Sequence, residues 1–446
     1  MLLLYIIGIV TWSIANCNGG PLETLVADNV AELLVDHILN HLTPPRIAHL
    51  AHLLDEYENH HKAKSIANSL NDFTMKAYES IVRDEYEDII FSPFTTYMSL
   101  SMLGYGASGP TEEQVHALLE QDFYEPLDAQ KKFSAIIDLL NGFSPSEFNM
   151  KYKIFYPNIC APTPLFKKIE KIFRIHSGIV DFRTSLVQAK TTINNWFSDN
   201  KVGLSNIRST QSVINDLNED TNMVITNAIF FNRKFERALS VDVPRWFPDH
   251  EQVHAKHERQ YYVAEGIYSH GEIPEIHAKF IELPYQNNGE KVNMSMFIVM
   301  PGIDGSFAEI ESFIDKITME ILLKRSYARI KASFPSLSFS TVRELTLPLG
   351  HSLRVPEIFS PEADFSRYFD CPKQHVTKFI QKNIVVMRTD GGELQQQSNA
   401  IVPGENLERW ETNSTDIEFV VDRSFIVIIA VTSPIPSILL IGQRQK

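Results

Sequence analysis

The sequence predicts an α+β protein, one large domain of mixed strands and helices behind a helical N-terminal arm. Apolar residues recur at helical spacing from Leu22 to Leu42, and "TPP" at 43–45 breaks that period before "RIAHLAHLLDEY" resumes it. The run "MVITNAIFFN" (223–232) is apolar without alternation, as a strand covered on both faces requires. The last third alternates short strand-like runs with proline-rich turns. With 446 residues, 44% hydrophobic and 22% charged, the chain can bury a large core.

In chain order, residues 1–17 come first. "MLLLYIIGIVTWSIANC" is apolar from Leu2 to Val10, then small and polar, without a basic start. That pattern is too short for a membrane span and reads as a secretory signal peptide cleaved near Ala15 to Cys17. Residues 18–65 form the arm, a helical hairpin able to bind a partner. Its histidines (His37, His41, His49, His52, His60, His61) include one i,i+4 and one i,i+3 pair. Without a cysteine or a repeated spacing they read as solvated helix faces, not zinc ligands.

The mixed domain occupies 66–446. "LNDFTMKAYESIV" is an amphipathic helix and "DIIFS" a short strand. Ser92-Pro93 opens "FTTYMSLSMLGYGA", a helix apolar nearly all round. Thr111 with Gln114 spells a capping box, and "VQAKTTINNWFSDNK" is a further amphipathic helix. "FIVIIAVTSPIPSILLIG" is interrupted by Pro434 and Pro436, which predicts two strands and a turn. Between "FIQKNIVVM" and "FIVIIAV" lies "RTDGGELQQQSNAIVPGENLERWETNSTD" (388–416), which has no periodicity. A loop of that length inside a domain usually carries function.

A net charge of −14 excludes general nucleic-acid binding, because phosphate contacts need a basic face. Lys131 with Lys132, and Lys167, Lys168 and Lys171, read as solvated helix faces. Two sequons suit a secreted glycoprotein. Asn413-Ser-Thr lies in the long loop; Asn293-Met-Ser sits in "VNMSMFIVM", where a buried strand would hide it. Cys160 and Cys371 remain after signal removal, and their spacing does not decide whether they pair.

Catalytic chemistry finds no support. "HEQVH" matches a zincin pattern through His250, Glu251 and His254, with His257 as a third ligand. The chemistry needs these on one helix face, but Pro244 and Pro248 precede them and "ERQYYVAEG" after them reads as a strand. "GASG" and "GGE" make no phosphate loop, and no GxSxG elbow occurs. Glu112 and Glu113 serve the dipole of a helix's first turn. No enzyme activity, cofactor or metal is expected.

Several segments together resemble the serpin family. "IIFSPFTTYMSLSMLGYGASGPTEEQV" (89–115) is similar to its Ser-Pro strand-to-helix junction followed by Gly-Ala-x-Gly-x-Thr, and "VITNAIFF" to its Asn-Ala-Ile central strand. "FIELPY", "SMFIVMPG", "PEADFS" and the closing "FVVDRSFIVIIAV…SILLIGQ" follow in the family's order. The resemblance covers residue 66 to the end and implies a serpin fold: large mixed sheets, surrounding helices and an exposed reactive-centre loop at about 389–418. In that family a protease cleaves the loop as bait. The loop then inserts as a new strand in the main sheet and drags the trapped acyl-enzyme with it. No catalytic residue on the inhibitor is needed.

The resemblance implies that Ser92, Pro93, Thr95, Asn227, Phe235 and Gln381 belong to the region where that sheet opens. Phe235 stands where relatives carry tryptophan. The hinge maps to Thr389, Asp390, Gly391, Gly392, Glu393, Leu394, Gln395, Gln396, Gln397 and Ser398. Inhibitory relatives carry a run of alanines there; this chain keeps Gly391 and Glu393 and loses the run. One strand phase would bury Leu394 and Gln396, the other Glu393, Gln395, Gln397 and Asn399. Either way a glutamine meets the core, at about 1–3 kcal/mol per unsatisfied group. Gly392 weakens strand preference, and Thr389 removes a carboxylate that closes the sheet's top in many relatives. Spacing from Gly391 points to Glu405-Asn406 as bait bond, while Arg409-Trp410 further on would suit a trypsin-like protease.

The expectation is a secreted, extracellular, monomeric serpin-fold protein with loop insertion weakened or lost. It would act by binding an extracellular protein partner, a serine protease being one candidate. The alternative is a working suicide-substrate inhibitor with an atypical hinge.

Overall fold

The computed structural model describes residues 44–82, 87–123, 126–199, 213–214, 216–248, 256–371, 374–390 and 417–445. The signal-like segment, the arm before Pro44, "HEQVH", the hinge from Gly391 to Ser398, the bait residues and Asn413 lie outside them. The chain divides into two compact units, 1–62 and 63–446. Helix α1 is continuous from Pro44 to Ile81, so the second arm helix and "LNDFTMKAYESIV" are one element, not two. The intervening "ENHHKAKSIANS" has neither proline nor glycine to stop it.

In the second unit, helices α2 (Pro93–Gly106), α3 (Pro110–Leu119), α4 (Pro126–Leu140), α5 (Pro164–Phe173) and α6 (Leu186–Asp199) accompany the strands. The first strands are β1 (Ile89–Phe91), β2 (Phe148–Pro157), β3 (His176–Val180), β4 (Met223–Phe231) and β5 (Ser240–Val241). Then come β6 (Arg245–Pro248), β7 (Lys256–Arg259), β8 (Tyr261–Ile273), β9 (Ala278–Pro284), β10 (Asn293–Pro301) and β11 (Ser326–Pro335). The last are β12 (Phe339–Glu344), β13 (Val376–Val385), β14 (Ile417–Val420), β15 (Phe425–Ser433) and β16 (Ser437–Arg444). "ERQYYVAEG" is in strand, as its residue types predict, and Pro434 and Pro436 lie in the turn between β15 and β16.

Among the described residues the strands make two large sheets. The nine-stranded one runs β1-β16-β15-β10-β9-β8-β11-β14, with β5 beside β8. The five-stranded one runs β12-β13-β4-β2-β3. Strand β4 is buried along its whole length, and its alternation shows why it is apolar throughout. Met223, Ile225, Ile229 and Phe231 face the main core, whereas Val224 joins a smaller cluster with Ile193 and Phe197 of α6. Helix α2 is buried on every side, and its polar side chains, Thr95, Thr96, Ser99 and Ser101, are buried with it.

The capping box expected at Thr111 and Gln114 does not form. Gly109 is the N-cap of α3, without a side-chain bond, and Pro110 takes the first helical position. Thr111 Oγ1 instead accepts from the Asp364 amide at 3.0 Å, and Gln114 Oε1 accepts from the Glu357 amide at 3.0 Å. Both side chains hold a distant loop against the helix.

Cys160 and Cys371 form a disulfide with their Cα atoms 5.3 Å apart and their positions 211 apart in sequence. Closing so long a loop removes unfolded-state entropy worth on the order of 5 kcal/mol in the chain-entropy account.

Gly442 of β16 pairs with Ile90, and a Cβ there would overlap the Ile89 carbonyl oxygen. Backbone cannot rotate away as a side chain would. Gly442→Ala is therefore expected to lower stability by about 1–3 kcal/mol through overpacking, read as a lower urea midpoint with an unchanged slope.

Candidate functional site: the seam between β4 and β13

Strands β4 and β13 run parallel and are joined directly, from Val376 opposite Met223 to Val385 opposite Phe231. The Val386 amide extends the ladder to the Phe231 carbonyl at 2.8 Å. At the other end the Met223 amide donates to the His375 carbonyl at 3.1 Å, and the Asn222 amide to Thr377 Oγ1 at 2.8 Å. Parallel neighbours need no turn between them. The seam joins the strands that carry Asn227 and Gln381, and it is closed along its length.

A polar layer crosses the seam on its interior face. Gln381 stands opposite Asn227, and both are fully buried, with Phe379 and Asn383 flanking the first on its face and Ile225 and Ile229 the second. Such groups are tolerated only when bonded. The Ser92 amide donates to Gln381 Oε1 at 2.8 Å, and Asn383 Nδ2 donates to the same oxygen at 2.9 Å. Gln381 Nε2 lies 2.9 Å from the Ser92 carbonyl, 2.8 Å from Thr95 Oγ1 and 3.0 Å from Thr96 Oγ1. Ser99 Oγ donates to Asn227 Oδ1 at 3.0 Å, and Asn227 Nδ2 donates to the Thr95 carbonyl at 3.1 Å.

Ser92 completes the layer from the sequence's Ser-Pro junction. Its hydroxyl caps α2 by accepting from the Thr95 amide at 3.1 Å, and it donates to the Leu439 carbonyl of β16 at 2.7 Å. Pro93, at the first helical position, has no N–H to leave unpaired. The capped start of α2 therefore serves as the docking surface for one side chain of β13. Ser92, Thr95, Asn227 and Gln381 meet in one network. Phe235 lies apart from it, stacked on Tyr285 with ring centroids 4.8 Å apart and planes at 11°.

Beyond β13 the chain is held as far as Asp390. The Leu239 amide donates to the Thr389 carbonyl at 2.9 Å. Arg388 Nε donates to Asp390 Oδ1 at 2.9 Å, and Lys234 Nζ lies 3.1 Å from Asp390 Oδ2. Lys234 follows β4, so this ion pair spans the seam's end. The hydrogen bond from Arg388, with help from Lys234, holds the Asp390 carboxyl at about 2. Asp390, one residue after Thr389, thus places a carboxylate at this end of the seam, in an ion pair that sequence reasoning did not assign to it. At the seam's other end, Lys378 Nζ of β13 donates to Asp216 Oδ2 at 2.5 Å and Glu344 Oε1 at 2.9 Å. The bond from Lys378 lowers the Asp216 pKa. Lys378 was also missed, because it reads as an ordinary strand lysine.

The other marked positions lie elsewhere. Asn293 is exposed rather than hidden by its strand, with Nδ2 donating to Ser433 Oγ at 2.9 Å. The sequon's Ser295 is buried and donates to Glu282 at 2.7 Å.

The serpin (serine protease inhibitor) family model matches residues 68–444, and the chain belongs to that family. The leukocyte elastase inhibitor of Bos taurus is 24% identical over 370 residues, spanning 80% of this chain and 93% of that protein. Ovalbumin of Dromaius novaehollandiae is 24% identical over 401 residues, spanning 85% and 98%. In structure, mouse protein-Z dependent protease inhibitor is similar with a TM-score of 0.72 at 18% identity, over 88% of this chain and 99% of that one.

Two outcomes follow from the seam's chemistry. Gln381→Ala orphans the Ser92 amide and loosens Asn383, so it is expected to cost about 2–4 kcal/mol, measured by urea unfolding. The second concerns Asp390. Its folded pKa of about 2 lies below the ordinary aspartate value of 3.8. The contribution it makes is full above the unfolded value and lost as pH falls through the folded one. Hydrogen exchange at the Leu239 amide is expected to rise relative to the β4 core between about pH 4 and 2, and in Asp390→Asn to be raised at neutral pH.

Proposed function

We propose that this serpin-family chain is a secreted protein in which loop insertion, and with it inhibition, is weakened or lost. It acts by binding an extracellular protein partner. The observation that carries the reading is the hinge sequence "GGELQQQS" (391–398), set against a buried seam in which Gln381 and Asn227 already hold their partners on α2. A strand entering between β4 and β13 must present alternate side chains to the interior. Leu394 and Gln396, or Glu393, Gln395 and Gln397, would have to fit there in place of alanines. Each buried unsatisfied group costs about 1–3 kcal/mol, which is a slowing of roughly 5- to 160-fold if felt in the transition state. Trapping competes with hydrolysis of the acyl-enzyme, so slow insertion turns an inhibitor into a substrate.

Secretion is supported by the apolar start of the chain and by the Cys160–Cys371 disulfide, which suits an oxidising compartment. Family membership extends the same fold to relatives named as inhibitors and to ovalbumin. The partner is read as protein because the loop and the arm, rather than a catalytic cleft, are the distinctive segments of this sequence.

Incubation with a panel of trypsin-, chymotrypsin- and elastase-like proteases, followed by denaturing electrophoresis, tests the reading. Cleaved protein without a stable covalent complex is the expected result, with little or no gain in melting temperature after cleavage within 392–410. A stable complex with any of the proteases would favour the suicide-substrate alternative and sink the proposal. Replacing Leu394, Gln395, Gln396 and Gln397 together by alanine is expected to raise the melting temperature gained on cleavage.

A further inference from the structure

The seam has a second fastening, outside the sheet. Strand β2 runs antiparallel to β4, whereas β13 runs parallel to it. The end of β2 and the start of β13 therefore lie at the same edge of the sheet, on opposite flanks of β4. Cys160 follows β2 by three residues, and Cys371 precedes β13 by five. Their disulfide ties the β12–β13 half of the sheet to the β4–β2–β3 half. Around it the Asp370 amide donates to the Ala161 carbonyl at 2.9 Å, and the Thr163 amide to the Tyr368 carbonyl at 2.8 Å. Phe369 packs against Tyr156 and Phe166, with ring centroids at 4.9 and 5.0 Å.

A strand added between β4 and β13 would move these halves apart by one strand spacing, about 4.8 Å. Hydrogen bonds and aromatic contacts can slip by that distance and re-form. A disulfide cannot, because it confines its two Cα atoms to roughly 4.4–6.8 Å. The short connectors to β2 and β13 would then have to absorb the whole displacement.

The two sulfurs differ in access. Cys160 is buried, whereas Cys371 is partly exposed and lines a cavity of about 270 Å³ with Glu362, Asp364, Ser366 and Gln374. The side-chain oxygen of Gln374 is buried with no hydrogen-bond partner among the described residues. Cys371, and not Cys160, is thus the half of the bridge that a small molecule in this cavity can approach.

We propose that Cys160–Cys371 is a thiol–disulfide exchange site that controls whether the seam can widen, with a small thiol as its co-reactant. A thiolate attacks Sγ of Cys371, forming a mixed disulfide there and expelling Cys160 as a thiolate, which takes up a proton. A second small thiol attacks the outer sulfur of the mixed disulfide and leaves as the oxidised small disulfide, freeing the Cys371 thiol. Two small thiols are oxidised and one protein disulfide is reduced. Oxidised, the base of the sheet is fastened; reduced, the two halves are joined only by contacts that can shift. The inference rests on membership in a strand-inserting family and not on the composition of this chain's own hinge.

A labelled alanine- and threonine-rich strand peptide of about ten residues, matched to the seam, tests it without using that hinge. Uptake is read by native electrophoresis and mass spectrometry. It is expected to be about tenfold faster or more in reduced, alkylated protein and in Cys160→Ser/Cys371→Ser than in the oxidised protein. Near-UV circular dichroism establishes that each form is folded. Equal uptake by oxidised and reduced forms, or uptake by none, overturns the proposal. Brief exposure to glutathione should place the mixed disulfide on Cys371; its recovery on Cys160 overturns the order of attack. A hinge that proves competent on cleavage would overturn the reading of function and leave the peptide result standing.

Discussion

The side-chain amide of Gln381 is the contact on which the rest of the arrangement depends. It sits in β13, fully buried, and receives the backbone N–H that starts the turn into α2. A buried amide in an apolar row is tolerable only while each of its bonds is made, so its partners must stay in place. Those partners are the cap of α2, which also hydrogen-bonds to β16 of the nine-stranded sheet. One glutamine therefore couples the register of the five-stranded sheet, the entry angle of the central helix and strand β16 of the other sheet. Separating β4 from β13 disturbs that layer directly, because Asn227 on one side and Gln381 on the other share Thr95 as a partner.

The fastenings along the seam differ in kind and in range. The middle is held by neutral hydrogen bonds in a dry interior, where loss of one partner is costly. The ends are held by exposed or half-exposed ion pairs, Lys234 with Asp390 and Lys378 with Asp216 and Glu344. Pairs of that sort are worth little individually and are screened by salt. The covalent link from Cys160 to Cys371 lies past the base of the sheet. Resistance to widening thus rises from the hinge end, which ion pairs close, to the opposite end, which a covalent bond closes.

Much of this was legible in the sequence where a single residue type had one physical use. The unbroken apolar run of β4 and the Ser-Pro start of α2 could be read directly, since a doubly covered strand and a capped buried helix leave few other choices. Gln381 became readable only through family resemblance, because a glutamine in "FIQKNIVVM" is locally indistinguishable from a solvated one. The disulfide was not readable, since partners 211 residues apart are brought together by the tertiary fold alone. The capping box at Thr111 failed because Pro110 satisfied the helix start without it, which released both side chains for distant amides. Asp390 was read as a hinge residue, but its ion pair was not readable, because only the tertiary fold brings Lys234 beside it.

The position of β15 has a consequence for any chain cut between Asp390 and Ile417. β15 lies between β10 and β16, buried along nearly all its length, and β14 is paired with β11. The piece released from the main chain would carry three strands already woven into the larger sheet. Cleavage there converts one polypeptide into a nicked, two-chain particle of unchanged mass, separable only by denaturation.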